Sequence, residues 1–237
     1  MALMPLLLGG VAALGNVVGA AAVVRRARHG LRVIETSLAF GAGFMLAVVL
    51  LGVLPEVFRR FDASIGLWVL GGYLAVHLSQ HVLVPHFHFG EETHPVSPAA
   101  GVSALAGLSI HSFFDGVAIA SGFLESTALG ALLFLAVLLH KIPEGVALAS
   151  IMLAGGQGSR PALWGSVGLG IATLLGIVLT EVALPLQRHG LALAAGVTLY
   201  VAASNLVPEF QHAPRRGALS LAFLGGVLAV LLVRILL

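Results

Sequence analysis

Eight apolar runs of spanning length, separated by short polar segments, most constrain what this chain can fold into. They fall near residues 2–24, 33–57, 64–84, 99–123, 128–153, 162–186, 190–208 and 217–236. A hydrocarbon core needs ~20 residues of helix to cross it, so eight spans fit. Hydrophobic residues make up 59% and charged residues 9% of the 237 positions, far from the balance of a soluble domain. The reading is an all-α polytopic membrane protein forming a single transmembrane domain over 1–237. The N-terminus lacks a basic n-region and a convincing cleavage site, so the first run is expected to be a retained span. Zero cysteines exclude disulfides and any thiolate metal site. The pI of about 9.7 rests on few charges, mostly in loops, and does not point to nucleic acid.

Ionisable groups inside such runs are costly and mark functional paths. Two of the runs carry the same pattern of them. His-Ser-Phe-Phe-Asp-Gly from His111 recurs 29 positions on as His-Lys-Ile-Pro-Glu-Gly from His140. Each His stands four residues before a carboxylate, which puts both on one helix face about one turn apart. With Glu125-Ser126-Thr127 as the turn, the two helices run antiparallel. His111 is then expected to face Glu144, and Asp115 to face His140. Two imidazoles and two carboxylates make a metal site by donor type, suited to zinc or another divalent first-row ion. Pro143 lies one residue before Glu144, and its missing N–H leaves the Leu139 carbonyl without its helical partner. A kink there would open room for an ion.

A second repeat joins the outer runs. Ala42-Gly43, Leu46, Val48 and Pro55-Glu56 recur, displaced by 153, as Ala195-Gly196, Leu199, Val201 and Pro208-Glu209. The matching spans cross in opposite directions, the sequence trace of an inverted repeat around a midplane site. The order implied is three helices, a central pair, then three more. Arg25, Arg26, Arg28, Arg32, Arg160, Arg215 and Arg216 fall in the odd loops, and only Arg59, Arg60 and Arg188 in the even ones. That bias places the odd loops in the cytoplasm and both termini outside. Ala12, Gly15 and Gly19 give the first span a face of small residues for close helix packing.

The two H-x-x-x-[DE]-G motifs resemble those of the fourth and fifth membrane helices of the ZIP divalent-metal transporters. That family has the 3+2+3 arrangement, so the resemblance covers nearly the whole chain. It implies a zinc carrier, with cadmium, iron and manganese as further cargo, in the cell membrane. It also implies a homodimer, and an elevator-like motion of spans one, four, five and six against two, three, seven and eight. Met45 matches a position in the second helix where some members of the family place a Met, which makes it an added candidate thioether ligand. Ser112 and Lys141 follow each His, where many relatives supply a ligand to a second, adjacent metal. Phe114 stands where many have Pro.

Lys141 cannot ligate while protonated and would repel a second cation. It is therefore read as a cation substitute. One divalent ion plus Lys141 balances Asp115, Glu144 and Glu181, the last matching a family carboxylate near the second-metal position and so a further candidate metal residue, while Ser112 is a candidate path residue. Glu56 and Glu209 are candidate path residues at opposite membrane faces. Ser204 and Asn205 sit at family path positions that are often His or acidic. The cytoplasmic loop 85–98, with His86, His88 and His94, is a candidate for weak metal binding on exit. His77 and His81, near the inner end of the third span, are expected to contact interfacial water.

A rival reading is an intramembrane zinc-dependent hydrolase, which needs an open coordination position and a general base. The chain lacks H-E-x-x-H. A metal-sensing receptor would call for an output domain.

Overall fold

The computed structural model describes residues 3–25, 31–60, 64–81, 98–208 and 215–236. Every regular element among them is helical. We number them α1 (Leu3–Val24), α2 (31–60), α3 (Ile65–His81), α4 (Pro98–Glu125), α5 (Thr127–Ala154), α6 (Ser159–Val182), α7 (Leu184–Leu206) and α8 (Arg216–Leu236). All but α3 are long and apolar enough to cross a membrane. The 17 described residues of α3 fall short of the ~20 that a full crossing takes. Its expected run, 64–84, extends beyond the described residues.

Helix ends follow local chemistry. Ser126 is extended, with φ −161° and ψ 154°, and its side chain accepts from the Leu129 N–H at 3.1 Å. This caps α5 and makes the α4–α5 turn a single residue long. The expected end of the sixth span at 186 and start of the seventh at 190 are displaced. The chain breaks at Ala183, which is extended, because Pro185 cannot donate to the carbonyl four residues earlier but suits the first turn of a new helix.

Both α2 and α7 widen into π-helical segments, Val48–Val53 and Val201–Leu206, displaced by 153 like the sequence repeat. Each precedes a proline, Pro55 or Pro208. Pro55 deprives the Leu51 carbonyl of its usual donor, and the Arg234 guanidinium of α8 donates to that carbonyl instead.

Packing divides the helices into two groups. Closest contacts run α1–α5, α4–α6, α4–α5 and α1–α6 in one group, and α2–α8 and α3–α7 in the other. The groups meet chiefly where α4 lies on α7 and α5 on α2. Glycine makes the closest crossings possible. A Cβ on Gly43 would strike the Phe223 carbonyl of α8, and one on Gly196 the Val69 carbonyl of α3. One on Gly116 would strike the Thr173 carbonyl of α6, and one on Gly145 the Asn16 carbonyl of α1. These four positions are related in pairs by the two sequence displacements. The outward face of α1 carries large apolar side chains (Leu3, Leu7, Val11, Leu14, Val18), and its buried face carries Gly9, Ala12, Gly15, Asn16 and Gly19. Such an inside-out helix suits lipid on one side and close helices on the other.

Candidate metal centre

The antiparallel α4–α5 hairpin brings His111, Asp115, His140 and Glu144 together, all buried. One ligand atom from each lies within 4.8 Å of the others. Asp115 Oδ2 is the hub. It is 3.3 Å from His111 Nε2, 3.2 Å from His140 Nε2 and 2.8 Å from Lys141 Nζ. The His140 Nδ1–H donates to the Ala136 carbonyl at 2.9 Å. That bond leaves the Nε2 lone pair of a neutral imidazole pointing at the cluster. Donors bound at about 2.0–2.1 Å around a tetrahedral ion sit on the order of 3.3 Å apart, so the two N···O separations match edges of such a site. His111 Nδ1 is buried without a hydrogen-bond partner among the described residues.

Lys141 fills the other side of the cluster and has no exposed surface. Its ammonium has three acceptors: Asp115 Oδ2 at 2.8 Å, Glu144 Oε2 at 2.6 Å and Ser112 Oγ at 2.8 Å. Ser112 Oγ in turn donates to Glu144 Oε1 at 2.6 Å. Three protons meeting three acceptors satisfy a buried ammonium that would otherwise be strongly unfavourable. The expected Asp115–His140 pairing is present. The expected His111–Glu144 pairing is only one of proximity, because Lys141 and Ser112 hold the Glu144 oxygens.

The remaining candidates lie elsewhere. Met45 is fully buried in the apolar core that includes Ala118 and Ala136, with Phe114 and Leu139 packed against it. Glu181 stands outside the donor group, in the last turn of α6. Gly176 crosses α4 at Phe113, and Glu181 lies five residues past it, about 7.5 Å further along the axis. Glu56 pairs with Arg59 at 2.5 Å on a partly exposed helix end. Ser204 and Asn205 fall in the π-helical segment of α7, where the Ser204 hydroxyl lies 3.2 Å from that of Tyr73. His77 packs edge-on against Tyr200, ring centroids 5.7 Å apart. The His81 side chain, and His86, His88, His94 and Glu209, lie outside the described residues.

Asn16 is the site residue that reading the motifs alone misses. It is fully buried at the α1–α5 crossing. With its amide nitrogen turned to the two acceptors there, it donates to the Lys141 carbonyl at 2.6 Å and to Glu144 Oε2 at 3.3 Å. The signal was available: Asn16 is the one polar side chain in the 22 residues of α1.

The family model described as ZIP Zinc transporter matches residues 88–234, more than half of the chain. Zinc transporter ZIP6 of Homo sapiens is 32% identical over 139 residues, covering 54% of this chain and 18% of that protein. Zinc transporter ZIP13 of Pongo abelii is 27% identical over 196 residues, covering 73% of this chain and 57% of that protein. Zinc transporter ZIP9 of Xenopus tropicalis is 29% identical over 181 residues, with 67% and 58% covered. The chain thus spans less than two thirds of the length of each of these relatives.

Proposed function

Because this chain belongs to the ZIP zinc transporter family, we propose that it carries zinc across the cell membrane into the cytoplasm, with His111, Asp115, His140 and Glu144 holding the ion in transit. The observation that carries the reading is the buried group of two imidazoles and two carboxylates on α4 and α5. In an apolar bundle such a group is costly unless it serves a cation. The same donors accept cadmium, iron and manganese as further cargo.

Lys141 supports a stoichiometry of one ion. Its ammonium sits on the oxygens of Asp115 and Glu144 that a second, bridging cation would need. The formal charge of Asp115, Glu144 and Lys141 together is then −1 empty and +1 loaded, a smaller excursion than two divalent ions would make. Met45, buried where α2 meets the hairpin, is assigned as an added soft donor. Glu181 is assigned as a further metal carboxylate at the second-metal side, and Ser112, Glu56, Ser204, Asn205 and Glu209 are assigned to the path. His86, His88 and His94 are assigned as receivers of the exiting ion.

Both displaced repeats, the paired π-helical segments and the matched glycine crossings support a 3+2+3 inverted repeat of eight spans. The division into α1, α4, α5, α6 and α2, α3, α7, α8 supports a metal-carrying unit that moves against a frame. A homodimer of such frames is the assembly we assign. Arg25, Arg32, Arg160, Arg215 and Arg216 flank the odd loops against Arg59, Arg60 and Arg188 at the even ones, a bias that supports cytoplasmic odd loops and outside termini. A hydrolase is disfavoured, because the family model and the relatives that match this chain are zinc transporters.

The deciding measurement is zinc uptake by proteoliposomes containing the purified chain, with other divalent ions in competition. Saturable uptake that His140→Ala abolishes is expected. Zinc binding without uptake under any gradient would refute transport.

A further inference from the structure

We propose that Asn16 of α1 is a positioning residue that sets the Glu144 carboxylate for the ion, an inference resting on the metal-site reading above. Three observations converge on it. Asn16 is fully buried in a helix that is otherwise apolar, so its amide must find partners within the bundle. Its two amide hydrogens have two acceptors, the Lys141 carbonyl at 2.6 Å and Glu144 Oε2 at 3.3 Å. The approach is forced by the backbone, because a Cβ on Gly145 would strike the Asn16 carbonyl and one on Gly19 would strike the Ile142 carbonyl.

The geometry gives Asn16 a defined task. Glu144 Oε1 is held by Ser112, and Oε2 is shared between Lys141 Nζ and the Asn16 amide. A cation bound among the four donors draws on the Glu144 carboxylate and competes with Lys141 for its charge. The Asn16 amide is neutral and does not compete in that way. It keeps Oε2 in place whichever cation holds the group, while its bond to the Lys141 carbonyl pins the α5 backbone beside Pro143. Outer donors that orient a ligating carboxylate are worth 10–100-fold in metal affinity.

The test uses the purified full chain and zinc ions competed against a fluorescent zinc chelator. Asn16→Ala keeps the small-residue face of α1 and removes both donors. Asn16→Ser is the second variant, because its shorter hydroxyl returns to its own helix backbone. Ser166→Ala in α6 is the control. That hydroxyl is equally buried and donates only to the Ala162 carbonyl of its own helix. Both Asn16 variants are expected to bind zinc on the order of 10–100-fold more weakly while remaining monodisperse and folded. Ser166→Ala should bind as the parent does. In uptake the loss should appear in KM, with the rate at saturating zinc kept within about threefold. An affinity within about twofold of the parent in folded Asn16→Ala and Asn16→Ser would overturn the inference, as would equal weakening by Ser166→Ala. His140→Ala separates the two readings. If it binds zinc as tightly as the parent, the metal site itself is wrong; if it loses zinc while the Asn16 variants keep it, only the role of Asn16 falls.

Discussion

Lys141 is the residue whose chemistry departs furthest from its surroundings, an ammonium with no exposed surface between two carboxylates. Removing its charge and adding an oxygen donor should create what it excludes. Lys141→Asp is expected to bind two zinc ions per protomer where the parent binds one, read by elemental analysis under saturating zinc. One ion in both proteins would mean that the neighbouring oxygens cannot complete a second site. The imidazoles carry a separate consequence. An imidazole ligates only when deprotonated, so protons are expected to compete with zinc for the proposed donors His111 and His140. Zinc affinity should fall as pH drops from about 7.5 to about 5.5. An affinity unchanged over that range would argue against both rings as ligands. Glu144→Ala should lose uptake at equal membrane level, because it removes a donor and leaves Lys141 with one carboxylate fewer.

Among the elements, α5 both carries site residues and packs on four other helices. It packs on α1, α2, α4 and α6, carries Pro143, and presents three of the site's polar side chains within five residues. Its crossing with α1 depends on the absence of a side chain at Gly145. Gly145→Ala is expected to destabilise by about 2 kcal/mol or more, since backbone rather than a flexible side chain must give way. Gly168→Ala in α6 meets nothing within 4 Å and should be neutral or stabilising by up to about 1 kcal/mol. Thermal unfolding of the two variants in the same detergent compares them directly. Equal melting temperatures would show that the α1–α5 crossing is looser than the structure describes.

For the molecule as a whole, the proposed carrying motion requires α4 to slide along α7. A Cβ on Gly190 of α7 would lie 3.8 Å from the Ser121 Cβ of α4, the mean separation across a disulfide. The chain has no cysteines of its own, so Ser121→Cys with Gly190→Cys gives a single engineered pair. Oxidation is expected to stop zinc uptake and leave zinc binding in place, and reductant should restore uptake. Neither single variant should respond to oxidant. Undiminished uptake by the fully cross-linked protein would rule out relative motion of the two helix groups at this contact.

The helical class and the grouping of His111, Asp115, His140 and Glu144 were legible in the sequence because both are local. A run of apolar residues reports burial in lipid directly, and a four-residue spacing fixes which side chains share a helix face. The repeat at 29 was enough to bring His140 to Asp115, since only the short turn at Ser126 lies between their helices. Tertiary structure alone decided the rest. Whether Lys141 reaches Asp115, Glu144 and Ser112 or turns away depends on its rotamer in the packed bundle. That Glu181 lies beyond the donor group follows from the register of α6 on α4, which the Gly116 and Gly176 crossings set. Asn16 is more than a hundred residues from Glu144 in sequence, and no periodicity along α1 names its partner. Contacts between distant helices are chosen by how closely backbones can approach, and that is a property of the assembled bundle rather than of any one span.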